Sequence, residues 1–131
     1  MQPKQIWANL AVKDVAATRK FYTAIGFTPN EGHNKNDVLT SFKIGEHGFV
    51  INFFSHQHFA DMAKGGTPNL SGSNEVMFTI WADTDAEADA WAIEIEQAGG
   101  TLLSQPKAFG PGYYGFDFAD PDGHKWNVFN M

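Results

Sequence analysis

Apolar and polar residues alternate over Ile6 to Val12, with Ile6, Ala8, Leu10 and Val12 on one face and Trp7, Asn9 and Ala11 on the other. This predicts a strand. The period then lengthens: Val15, Thr18, Tyr22 and Ile25 recur at helical spacing behind Asp14, a good N-cap, until Gly26 ends the helix. Phe27 to Pro29 predicts a short strand, and Glu31 to Asp37 is polar and loop-like. Val38 to Ile44 and Phe49 to Phe54 predict two strands joined by the turn Gly45-Glu46-His47-Gly48. Ser55 to Asn74 breaks the pattern with glycines, prolines and polar residues, the composition of a linker or lid, with one helical turn expected over His58 to Lys64.

After the break the order repeats. Glu75 to Trp81 predicts a strand, and Thr84-Asp85-Ala86-Glu87 is a capping box. Ala88, Trp91, Ile95 and Ala98 form the stripe of a second helix, stopped by Gly99-Gly100. Strands are expected over Thr101 to Ser104 and Tyr113 to Ala119, with a Pro/Gly-rich loop from Pro106 to Gly112 between them. Asp120-Pro121-Asp122-Gly123 is a turn, because Pro121 presets one backbone angle and Asp-Gly tolerates positive φ. In the last strand Lys125, Asn127 and Phe129 share one face, and Trp126 and Val128 the other.

Both halves thus read strand, helix, strand, strand, strand, and the spacing supports duplication. The two helical stripes have identical internal spacing, and Gly26 and Gly99 stand 73 residues apart. Setting Gly48 on Gly123 puts Asn52 on Asn127 and Phe54 on Phe129. The first strands are matched by placing Leu10 on Phe78, which sets Trp7 against Glu75. The expectation is one α+β domain over 1–131, with module one at about 5–55, a linker at about 56–73 and module two at about 74–131.

Composition narrows the function. With 131 residues, 43% hydrophobic and 15% aromatic, the chain is long and apolar enough to bury a core. Twelve Phe and four Trp exceed what a small core needs, which points to a lined cavity. A net charge of −6, without a basic cluster, argues against nucleic acid and anionic membrane as partners. The absence of cysteine excludes disulfides, thiolate metal sites and cysteine nucleophiles. Neither a signal-peptide pattern nor a membrane-length apolar run is present, so a cytoplasmic protein is the default expectation.

Two βαβββ modules ending in Asp120-Pro121-Asp122-Gly123-His124-Lys125-Trp126 resemble the vicinal oxygen chelate superfamily. That superfamily includes glyoxalase I, extradiol dioxygenases, fosfomycin-resistance enzymes and bleomycin-binding proteins. Val12-Lys13-Asp14 running into Lys20-Phe21-Tyr22 and Gly26-Phe27 carries the resemblance further. Trp7-Ala8-Asn9-Leu10 is most similar to bacterial predicted lactoylglutathione lyases. The resemblance implies an eight-stranded mixed sheet curled into a cup with a ligand site inside. It also implies a metal held by first-strand and last-strand side chains, which fall here on Trp7, Asn52, Glu75 and Asn127. One carboxylate, two amides and an indole make a poor divalent-metal set, since Trp has no lone pair to give and amide oxygens are weak ligands.

The expected ligand-binding residues are Trp7, Asn9, Asn52, Phe54, Glu75, Tyr114, Phe116 and Asn127, with Tyr113 completing an aromatic wall. Glu75 is the candidate catalytic base. His56 and His58, on one face if the preceding strand continues, are alternative metal ligands. The function expected is a glyoxalase-like protein that binds or sequesters a partly apolar small molecule as a homodimer, with no cofactor beyond a weakly bound divalent metal. Two alternatives stand beside it: a metal-dependent lyase or dioxygenase of the same superfamily, and an interaction module with a vestigial pocket.

Overall fold

The computed structural model describes residues 1–131. The chain forms two compact units, Met1–Pro68 and Asn69–Met131. The first contains β1 (Trp7–Val12), α1 (Val15–Ala24), β2 (Thr28–Pro29), β3 (Leu39–Ile44), β4 (Phe49–Ser55) and α2 (His56–Met62). The second contains β5 (Met77–Trp81), α3 (Asp85–Ala98), β6 (Thr101–Leu102), β7 (Lys107–Ala108), β8 (Tyr114–Ala119) and β9 (Lys125–Asn130). The α+β class and the two βαβββ modules agree with the sequence pattern. All eight expected strands are present, and β7 is an addition that pairs with β8.

In the first unit the strand order is β1-β4-β3-β2, with β1 parallel to β4 and the other pairs antiparallel. The second unit repeats it as β5-β9-β8-β6, with β5 parallel to β9. Each last strand therefore lies between the first and third strands of its own module. The helices begin as their caps dictate. Asp14 Oδ1 accepts from Ala17 N at 3.0 Å, and Thr84 Oγ1 accepts from Glu87 N at 3.1 Å. Glu87 closes its box one residue early, accepting from Asp83 N at 2.6 Å. Gly99 ends α3 at φ 100°, a left-handed position that favours glycine.

Each unit has its own core. In the first, Tyr22 of α1 stacks on Phe53 and Phe27, with ring centroids at 4.6 and 5.2 Å, and Val12, Val15, Ile25 and Ile51 fill the space around them. In the second, Trp126 stacks on Phe118 at 6.1 Å and lies 4.9 Å from Phe78, beneath Ala88, Ala92 and Ile95 of α3. The α3 stripe differs from expectation at one place: Ala92 is buried where Trp91 was expected, and Trp91 stays half-exposed. A small residue lets the helix approach the sheet there, while the indole fits only at the edge of the contact.

Two expectations are corrected. The structural register sets Asn9 beside Asn52 and Thr79 beside Asn127, so Asn9 corresponds to Thr79 and Trp7 to Met77. The match of Leu10 to Phe78 was two residues out, and Glu75 does not correspond to Trp7. Second, His56 and His58 do not extend a strand. Ser55 caps α2 by accepting from His58 N at 3.3 Å, and residues two apart on a helix point to different sides. The His58 ring stacks on Phe54, with centroids at 5.2 Å.

Candidate ligand site

The two modules offer the same positions on the sheet face turned away from α1 and α3, and they fill them differently. In the first unit Asn9, Asn52 and Ser41 are paired across β1, β4 and β3, and Asn30 continues the row beyond β2. Hydrogen bonds run along the row without a break. Asn30 Nδ2 donates to Ser41 Oγ at 3.1 Å, Ser41 Oγ donates to Asn52 Oδ1 at 2.7 Å, and Asn52 Nδ2 donates to Asn9 Oδ1 at 3.0 Å. Asn34 braces the row from behind, its Oδ1 accepting from Thr40 Oγ1 and Ser41 N, each at 3.0 Å. Trp7 and Phe54 lie on the same face, with Trp7 exposed and Phe54 half-buried. The row is a closed structural ladder.

In the second unit the corresponding residues are Thr79, Asn127 and Asp117. The Asp120 turn sets their register. Asp120 Oδ1 accepts from Asp122 N at 3.0 Å and His124 N at 2.9 Å, and Gly123 N donates to Asp120 O at 2.9 Å. Lys125 fastens the turn by donating to Gly123 O at 2.6 Å and Leu70 O at 3.0 Å. Asp117 then stands directly opposite Asn127, where Ser41 stands opposite Asn52. An ionised carboxylate has no proton to donate, so the bond that Ser41 makes has no counterpart here. Asn127 Oδ1 is buried and makes no hydrogen bond.

Asn127 lines a cavity of about 310 Å³. Ser104, Lys107, Phe109, Asp117, Asn127 and Phe129 supply side chains to its lining, and Gly115 lies between them. Ser104 Oγ accepts from Asp117 N at 2.9 Å, which leaves its own proton free to donate. Phe109 and Phe129 form the apolar wall, their centroids 5.1 Å apart, with Tyr113 5.7 Å from Phe129. Gly115 is required where β8 meets β9: a Cβ there would sit 2.1 Å from Val128 O.

The remaining candidates lie elsewhere. Phe116 borders the cavity, but it is 3% exposed and its ring lies 6.1 Å from that of Phe118 in the core. Tyr114 points towards α3, where its hydroxyl donates to Asp89 Oδ1 at 2.7 Å. That hydrogen bond raises the phenol above its ordinary pKa, with desolvation and the charges of Asp89 and Asp85 adding to it. The aromatic wall expected from Tyr113, Tyr114 and Phe116 is therefore built mainly from Phe109 and Phe129. Glu75 is exposed and precedes β5. Asp117, Ser104 and Phe109 were not foreseen. The signal that would have found Asp117 is the hairpin pairing about the Asp120 turn, which sets it against Asn127.

The donor set does not fit a divalent metal. Trp7 has no lone pair to offer, Asn52 Oδ1 is already used by Ser41, and Met77 takes the register position that corresponds to Trp7. In neither unit are three or more His, Asp or Glu side chains grouped as a metal ion needs.

A duplicated βαβββ unit with each last strand set between the first and third defines an α+β fold class. Residues 4–128 match the model of the Glyoxalase/Bleomycin resistance protein/Dioxygenase superfamily, and the chain belongs to it. A hypothetical protein from S. aureus, SA1046, is similar at 27% identity and TM-score 0.85, over 100% of this chain and 96% of that one. A glyoxalase-related enzyme from Fulvimarina pelagi has 22% identity and TM-score 0.79, covering 97% and 88%. A lactoylglutathione lyase from Agrobacterium tumefaciens has 21% identity and TM-score 0.69, covering 98% and 95%. The last two likenesses bear on the fold alone. No curated protein matches the chain. No helix is long and apolar enough to cross a membrane.

Proposed function

We propose that this protein is a metal-poor member of its superfamily that binds or sequesters a small, partly apolar molecule in the cavity of its second unit. The observation that carries this reading is Asn127 Oδ1, buried without a partner beside the Phe109 and Phe129 rings. An unpaired buried carbonyl oxygen costs about 1–3 kcal/mol, and the corresponding oxygen of Asn52 is satisfied. A ligand that donates to Asn127 would remove that cost and cover the aromatic wall. A volume of about 310 Å³ suits a molecule of one ring with a short substituent.

The test is a thermal-shift screen of single-ring compounds on the parent and on Asn127→Leu. Leucine has nearly the shape of asparagine but no polar atoms. Compounds that raise the melting temperature of the parent should fail to do so for the variant. A screen without hits, or hits that stabilise both proteins equally, would refute the site.

A further inference from the structure

The internal repeat provides a reference for the chemistry of the cavity. At one position of the module the first unit carries Ser41, which donates to its asparagine, and the second carries Asp117, which cannot. Asp117 therefore creates two demands together. Asn127 Oδ1 lacks a donor, and the half-buried Asp117 carboxylate stands directly opposite it. Side chains directly opposite on antiparallel strands have Cβ atoms about 4.5–5.5 Å apart, so one group can serve both. A neutral hydroxyl can satisfy only one acceptor with its single proton. An ammonium carries three donors and the opposite charge.

We infer that the cavity selects a protonated primary amine on an aromatic or short apolar body, its ammonium seated between Asn127 Oδ1 and Asp117. The inference rests on the proposed site and specifies its ligand. The body lies against Phe109 and Phe129, whose faces also favour a cation. Lys107 is the residue that opposes this. It faces Gly115 across β7 and β8, two residues from Asp117 on the same face, and it also lines the cavity. Its own ammonium then competes with the ligand for Asp117, so removing that charge should strengthen binding.

The experiment compares 4-phenylbutylamine, 4-phenylbutanol and 4-phenylbutyrate by calorimetry on the parent, Asp117→Asn, Asp117→Ser and Lys107→Gln. The amine should bind at least about tenfold more tightly than the alcohol, and the carboxylate should bind most weakly. Asp117→Asn should abolish the preference for the amine over the alcohol, while Lys107→Gln should tighten the amine several-fold. Asp117→Ser, which rebuilds the closed ladder of the first unit, should weaken both amine and alcohol. Alcohol or carboxylate binding as tightly as the amine in the parent overturns the charge assignment and leaves the site standing. Failure of all three overturns the inference. Only if the single-ring screen is also empty does the proposed site fall with it.

Discussion

Exchanging Ser41 and Asp117 between the two modules should move stability in opposite directions. Asp117→Ser places a hydroxyl opposite Asn127, in the relation that holds Ser41 Oγ 2.7 Å from Asn52 Oδ1. One net hydrogen bond to a buried acceptor contributes about 1 kcal/mol, which for a chain of 131 residues raises the melting temperature by roughly 3–4 °C. Ser41→Asp does the reverse in a harsher setting. Ser41 is 0% exposed, it donates to Asn52 and accepts from Asn30, and Asn34 packs beside it. A carboxylate there loses the bond to Asn52 and is buried without a counter-charge, which costs about 3 kcal/mol or more. Thermal and urea unfolding of the two single variants, without ligand, reads both effects. Asp117→Ser at or below the parent, or Ser41→Asp within about 1 kcal/mol of it, would refute the claim that one ladder is closed and the other open.

Gly115→Ala should lower stability by about 3 kcal/mol, because its methyl would meet the backbone oxygen of Val128 and neither strand can yield alone; a melting temperature unchanged within a degree would contradict this. Protein dialysed free of metal should bind nickel, manganese or zinc no more tightly than roughly 10 µM. One equivalent of metal retained through a chelating column would count against the metal-poor reading. Each sheet ends on the unpaired outer edge of its first strand, β1 or β5, so association into a homodimer is expected. Light scattering that finds only a 14.5 kDa species across a wide concentration range would refute it.

The element order was legible because local signals mark it: Asp14 and Thr84 cap helices, Gly26 and Gly99 follow them, and Asp120 to Gly123 turns the last hairpin. The two-residue error in β5 arose because a parallel strand takes its register from a distant partner. Phe78 is set by Trp126, 48 positions away, and the polar stretch before β5 has no length marker. Glu75 stood out for its chemistry, yet chemistry does not say where a strand begins. Asp117 was missed for the converse reason: a carboxylate within an alternating strand reads as solvent-facing until its cross-strand neighbour is known. In α2 the helical outcome hung on Ser55, which the continuing apolar run of β4 concealed.

The place of the last strand also governs the order of folding. In each unit the first strand's only sheet neighbour is the last one made, as with Asn9 and Asn52 in β1 and β4. Until β4 is synthesised, β1 has no strand of its own unit to pair with, and closing so long a loop is entropically slow. Local helices and hairpins can form early, but the unit becomes cooperative only when its final strand slots between the two that await it. Shortening the chain within β9 would therefore remove the central strand of the second unit, Asn127 with it, and leave β5 and β8 without their shared neighbour.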